Sequence, residues 1–175
     1  MLESGECLMQ SHEDVQFFLP RAHTIDRSEL EAFIKERKVP VTITENHTYD
    51  LMQICDVCLA ASGTATLETA MMELPTVLLY KVSPITYGIG KMVVNLTHVG
   101  LPNIVAGKEV IPELLQGDVS VDAIVNTVLP LLDDLHINQS MRTELRGVKE
   151  KLGESGAVNR VAQLIYDLGK ERINE

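Results

Sequence analysis

Positive charge is scarce in this chain: 15 lysines and arginines face 25 aspartates and glutamates, for a formal net charge of −10. That balance opposes the attraction that draws proteins to nucleic acid or anionic lipid, so no nucleic-acid partner is expected. Also missing is any uninterrupted apolar run long enough to cross a bilayer, and the first residues lack the pattern of a signal peptide. The three cysteines cannot all pair, which points to a reducing cytoplasm rather than an oxidising compartment. What is present is 45% apolar residues over 175 positions, enough to bury a core in one domain, with two small domains as the alternative.

Cys55 and Cys58 form a CxxC pair. A reactive pair of this kind sits where a strand turns into a helix, because the helix N-terminus lowers the thiol pKa. Here a helical pattern runs into a strand, so the order is reversed. No second CxxC follows, and His47 alone cannot complete a four-ligand zinc site. The pair reads as buried apolar filling, and no metal is expected.

Short apolar runs alternate with amphipathic stretches. Residues 15–20, 39–44, 56–61 and 76–80 read as strands, and residues 28–38, 48–55, 64–73 and 84–96 as helices, behind an opening helix at 2–10. The run at 56–61 has no polar alternation, as expected of a strand covered on both faces, and 76–80 is another buried strand. This order predicts an α/β fold: a Rossmann-like parallel sheet with helices on both faces, right-handed crossovers and ligands beyond the strand carboxyl ends. An irregular stretch at 98–107 is expected next, then helices only, at about 111–116, 121–134, 139–152 and 157–170. Met141, Leu145, Val148 and Leu152 make one apolar stripe, and Val158, Val161, Ala162, Ile165 and Leu168 a second. The expected division is a sheet domain at 1–118 and C-terminal helices at 119–175, packing on that domain or on a partner chain.

The stretch SGTATLE, residues 62–68, joins a buried strand to an Ala/Met-rich helix. With Thr64 near the N-cap, the amides of Ala65, Thr66 and Leu67 point outward at the carboxyl edge, where an anion such as phosphate can bind. Gly63 lets a ligand approach the backbone, while Ser62, Thr64 and Thr66 offer hydroxyls. Glu68 lies one turn later, and helical side chains lean toward the N-terminus, so its carboxylate can accept the hydrogens of a vicinal diol at the same rim. Phosphate on amides and a diol on a carboxylate describe a nucleotide. A capped core helix is the alternative, and no Walker loop with its lysine is present, which disfavours ATP hydrolysis.

A second group follows. Pro102 is expected to hold Leu101 extended, with the Asn103 amide free to donate and accept beside a turn at Gly107. Residues 112–116, PELLQ, read as a short helix with proline at its start, setting Glu113 and Gln116 on one face. Taken singly, these are also ordinary turn or surface residues.

Together, SGTATLE, the following LPTVLLYKVSPITY (residues 74–87) and LPNIVAGKEVIPELLQ (residues 101–116) closely resemble the C-terminal half of the lipid-A-disaccharide synthases, in order and in spacing. The similarity extends to the turn at 152–157 and covers nearly the whole chain. The resemblance implies a GT-B glycosyltransferase that moves 2,3-diacylglucosamine from UDP to 2,3-diacylglucosamine 1-phosphate, with inversion, at the cytoplasmic face of the inner membrane. It implies that Ser62, Gly63, Thr64, Ala65 and Thr66 bind the UDP diphosphate, Glu68 the ribose diol, and Asn103 and Gln116 the diphosphate or donor-sugar region. Residues 44–47 would flank uracil. No metal and no cofactor are implied.

In that family the domain opens with a strand and a Gly-Ser-Arg loop, behind an N-terminal domain that carries the acceptor site and the presumed catalytic base. Met1 here falls at the first helix, so no catalytic residue is assigned, and the fragment alone is expected to bind UDP weakly and transfer nothing. Loss of a central strand would leave unpaired edges that favour association, so a homodimer is expected, with swapped C-terminal helices as one form. The competing reading is a non-catalytic sugar-nucleotide-binding or interaction module. A weaker one is another GT-B member, such as a peptidoglycan N-acetylglucosaminyltransferase or a UDP-GlcNAc epimerase.

Overall fold

The computed structural model of the chain describes residues 1–37, 39–83, 98–153 and 156–173. Its elements in chain order are α1 (Leu2–Ser11), β1 (Phe17–Pro20), α2 (Arg27–Lys35), β2 (Val41–Thr44), α3 (Thr48–Ile54), β3 (Cys58–Ala61), α4 (Thr64–Met71) and β4 (Thr76–Tyr80). They continue with α5 (Leu101–Ala106), β5 (Glu113–Leu115), a 3-10 turn (Gln116–Asp118), α6 (Val121–Asp133), α7 (Leu135–Leu152) and α8 (Ala157–Ile173). The helix expected at 84–96 lies outside the described residues.

Local chemistry explains several helix starts. Asp26 caps α2 by accepting the Ser28 N–H at 2.9 Å, which holds its carboxyl below the usual carboxylate range. Ser120 Oγ accepts the Ala123 N–H at 3.1 Å to open α6, and Asp134 accepts the His136 N–H at 2.8 Å to open α7.

All strand pairs among the described residues are parallel. β1 pairs with β2, Phe17 opposite Val41, and β3, β4 and β5 form a second sheet in that order, with Cys58 opposite Thr76 and Leu78 opposite Glu113. The alternation of side chains along β4 divides the core between two faces. Val77 and Leu79 join Leu8 of α1 and Ile124, Val128 and Leu131 of α6 on one face. Leu78 joins Ala70 of α4, Val110, Ile111, and Leu145 and Val148 of α7 on the other. Helices thus cover both faces of β4, in keeping with the buried strand expected at 76–80.

Two expectations need correction. Residues 98–107 are not irregular throughout: Leu101 and Pro102 open α5, where a proline needs no N–H partner, and Gly107 ends it in the left-handed region at φ 74°. Residues 113–115 are a strand, not a helix, because the ladder to β4 captures them, just after the Val110 and Ile111 N–H groups are tied to Asn103 Oδ1. Of the two C-terminal apolar stripes, that of α8 is open among the described residues: Val158, Val161, Ile165 and Leu168 are all exposed. α7, by contrast, is anchored by Arg142, which donates to the Glu73 and Cys55 carbonyls at 3.2 and 3.3 Å, and by Arg146, which pairs with the Glu73 carboxylate at 2.8 Å.

Candidate nucleotide site at the carboxyl edge

The β3–α4 turn leaves the sheet at its carboxyl edge, where the Ser62 N–H donates to the Leu79 carbonyl at 3.3 Å. Gly63 follows with φ 151° and ψ −166°, a conformation that is open in practice only to glycine. A Cβ built on it would meet nothing within 4 Å, so the backbone here faces open space. Gly63 is also the N-cap of α4 and supplies no side-chain cap. The first amides of the helix therefore lack an intrahelical partner and carry the positive end of its dipole.

Around that helix start the expected residues separate into two groups. Gly63, Thr64 and Ala65 are exposed, Ser62 and Glu68 are half-buried, and among the described residues the Glu68 carboxylate has no hydrogen bond or ion pair. Thr66 differs: it is fully buried, its Oγ1 donates to the Gly63 carbonyl at 2.8 Å and its N–H donates to the same oxygen at 3.2 Å. Its hydroxyl shapes the turn from inside instead of facing a ligand. Thr69 repeats the motif one turn later, donating to the Thr66 carbonyl at 2.9 Å.

Asn103 is likewise buried, at 0% exposure. Its Nδ2 donates to the Ile111 carbonyl at 2.8 Å and to Glu113 Oε1 at 2.7 Å, and its Oδ1 accepts the N–H groups of Val110 at 2.7 Å and Ile111 at 2.9 Å. Those four bonds use the full capacity of the amide. The expectation that Asn103 reaches toward a ligand is therefore corrected: it holds the α5–β5 connection in shape. Gln116, at φ 49°, takes the Val82 N–H on Oε1 at 3.3 Å, and its buried Nε2 has no partner among the described residues.

Glu113 is the residue whose part the sequence concealed. Beyond Asn103, it accepts the Val99 and Gly100 N–H groups, each at 2.9 Å. Its ten-residue separation from Asn103 belongs to neither helical nor strand periodicity. The available signal was the β-branched Val110-Ile111 pair ahead of Pro112, which favours a strand over a helix for PELLQ.

The region expected to flank uracil begins where β2 ends. Arg21 Nε donates to Glu45 at 3.0 Å, Asn46 sits at φ 63°, and His47 lies exposed with Nδ1 3.1 Å from Asp50. At the opposite edge, burial, and then the neighbouring Cys55, push the Cys58 thiol up to about 11. Cys55 is raised too, by burial and by Asp56. Neither is poised as a nucleophile. Among the described residues no group of three or more His, Cys, Asp or Glu could hold a metal ion, and no helix is long and apolar enough to cross a membrane.

Parallel strands, helices on both faces and an uncapped glycine turn at the carboxyl edge define a class, the Rossmann-like α/β fold, of the kind that makes up one half of a GT-B architecture. The sequence comparisons narrow it. The chain belongs to the lipid-A-disaccharide synthetase family, whose model matches residues 1–165. Lipid-A-disaccharide synthase of Geobacter sulfurreducens is 42% identical over 172 residues, covering 98% of this chain and 45% of the relative. The synthases of Syntrophotalea carbinolica and Persephonella marina are 36% and 38% identical, over 99% and 96% of this chain and 45% of each relative. The chain thus spans less than half the length of these curated relatives, and the part it matches is their C-terminal half.

Proposed function

We propose that this chain is the UDP-sugar-binding part of a lipid-A-disaccharide synthase. The diphosphate of UDP rests on the Thr64 and Ala65 amides, with the Ser62 and Thr64 hydroxyls beside them, and Glu68 accepts the ribose diol. The observation that carries this reading is the exposed α4 start, where glycine supplies an open backbone and no side chain caps the helix. Fixed amides and a helix dipole stabilise the charge that develops on a departing nucleoside diphosphate. Asn103, Glu113 and Gln116 act from beneath, holding the connections around β5 in register with that edge.

In the complete reaction, 2,3-diacylglucosamine passes from UDP to 2,3-diacylglucosamine 1-phosphate, and the anomeric carbon inverts as the acceptor hydroxyl displaces UDP. The proton of that hydroxyl must go to a base, and no residue described here is assigned to it. The chain by itself is therefore expected to bind UDP without transferring sugar. The reading places the whole enzyme in the cytoplasm, peripheral to the inner membrane where its lipid substrates lie. It also includes a homodimer, supported by the exposed apolar stripe of α8.

Amide shift mapping during a UDP titration tests the site. The largest changes are expected at Gly63, Thr64 and Ala65; changes centred on the groove between α2 and β2, lined by Arg27, Lys35 and Thr42, would reject it. Light scattering tests the assembly, and a monomer mass at micromolar concentration removes the dimer.

A further inference from the structure

The two ends of a nucleotide need different surfaces, and two turns of this chain differ in that way. At the β3–α4 turn the backbone is open and the helix start uncapped, which suits an anion. At the β2–α3 turn the charges are already paired. Glu45 Oε1 accepts Arg21 Nε at 3.0 Å and lies 3.6 Å from Arg27 Nη1, Arg27 Nε donates to Glu31 at 2.7 Å, and His47 Nδ1 lies 3.1 Å from Asp50. A phosphate finds no unpaired cation in that group.

What the β2–α3 turn does offer is a ring. Tyr49, the second residue of α3, is 56% exposed. Two other aromatic side chains among the described residues are as open, Phe33 near the end of α2 and Tyr166 within α8, and neither lies in the first turn of a helix that leaves a strand. Helical side chains lean toward the N-terminus, which sets the Tyr49 ring back toward the end of β2. The ground beside it is braced. Arg21 binds Glu45 and, through Nη1, the Ile25 carbonyl at 2.6 Å, tying the β1–α2 loop to the β2–α3 loop. Ile25 and Tyr49, both exposed, thus flank one internal ion pair.

We infer that the Tyr49 ring is the face on which the base of the bound nucleotide stacks, while the diphosphate rests at Gly63. An aromatic surface among paired charges suits a flat, uncharged ring and not an anion. Topology opens both turns on one edge: α3 carries the chain from the carboxyl end of β2 to the start of β3, and both sheets pack on the cluster of Leu8, Val77, Leu79 and Ile124 through Phe17 and Leu59. Stacking grips any base by its π-face, so Tyr49 sets the affinity for the nucleoside and leaves the choice of base to other groups. The inference rests on the nucleotide reading and adds to it a residue and the contact it makes.

The chain contains no tryptophan, so Tyr49→Trp in the full 175-residue chain plants a single fluorescent reporter at the rim. UDP is expected to quench it, and ribose 5-phosphate and inorganic diphosphate, which carry no base, to leave it unchanged. By calorimetry, Tyr49→Ala is expected to weaken UDP at least about fivefold, Tyr49→Phe by less than about twofold, and neither to alter inorganic diphosphate. An unquenched tryptophan, wild-type UDP affinity in Tyr49→Ala, or an equal loss in Tyr49→Phe overturns the inference. Where UDP still shifts the Gly63, Thr64 and Ala65 amides in such a case, the nucleotide reading stands without it. Where UDP neither shifts those amides nor quenches the reporter, both fall together.

Discussion

Asn103 and Glu113 hold each other: the amide nitrogen donates to the carboxylate at 2.7 Å, and each then binds a different stretch of backbone. Glu113 takes Val99 and Gly100, and Asn103 takes Val110 and Ile111. An alanine at position 103 would strand two N–H groups in residues that are 7% and 0% exposed. Asn103→Ala is expected to destabilise the chain by about 3 kcal/mol, since each buried unpaired group costs roughly 1–3 kcal/mol. Urea unfolding measures it. An unchanged midpoint would mean that the amide is not the internal brace described here.

Glu68 makes a sharper case about the ligand, because only UDP offers a diol. Glu68→Gln is expected to weaken UDP by about tenfold, the loss of roughly 1.4 kcal/mol at a half-exposed charged acceptor, and to leave inorganic diphosphate unchanged. Titration calorimetry with both anions separates the outcomes. Equal losses would place the carboxylate near the phosphates rather than the sugar.

How far the sequence disclosed this arrangement follows from the range of the forces involved. The β4 strand was legible because Val77, Leu78 and Leu79 in a row need a cover on each face, a property carried within the run itself. The Gly63 turn was legible for the same reason, since glycine, hydroxyls and the helix start are neighbours in the chain. The Asn103–Glu113 brace was not, because its partners meet only after α5 has folded back on the sheet. Nor was β5: its three residues form a strand because β4 offers a ladder, and a local rule favouring proline at a helix start gave the wrong answer. Thr66 shows a third limit. Its place in the turn was read correctly, but a hydroxyl at a helix start can face outward or bond back to Gly63, and only packing decides.

Two glycines of the fold should fail for different reasons. Gly63→Ala forces an L-residue into φ 151° with nothing near its new methyl, so about 1–3 kcal/mol of backbone strain is the whole effect. Gly100→Ala keeps an ordinary φ of −76° but drives a methyl to 2.9 Å from Leu78 Cδ1 and 3.1 Å from Glu113 Oε1. Overpacking of this kind also costs about 1–3 kcal/mol. Thermal unfolding should fall for both, while diphosphate affinity should fall only for Gly63→Ala, whose altered backbone is the proposed anion site. Loss of affinity in Gly100→Ala alone would move the site toward α5.

The last prediction concerns acid. Glu73 accepts Arg146 at 3.0 and 2.8 Å and lies 3.4 Å from the Lys149 ammonium, tying α4 to α7. The Arg146 bond, joined by Lys149 and opposed in part by burial, holds the Glu73 carboxyl below its usual range. A carboxylate with a lowered folded-state pKa binds protons more readily in the unfolded chain, so its contribution is fully present above the ordinary carboxylate range. It fades as the pH falls through the lowered folded value. Wild type and Glu73→Gln should therefore differ in urea midpoint at pH 7 and converge under strong acid, with most of the change below the ordinary carboxylate range. High salt should shrink the neutral-pH difference as well, since Arg146 is largely exposed and its charge is screened. A difference that persists unchanged into strong acid would assign the effect to packing of the Glu73 side chain, whose backbone sits at φ 56°, and not to its charge.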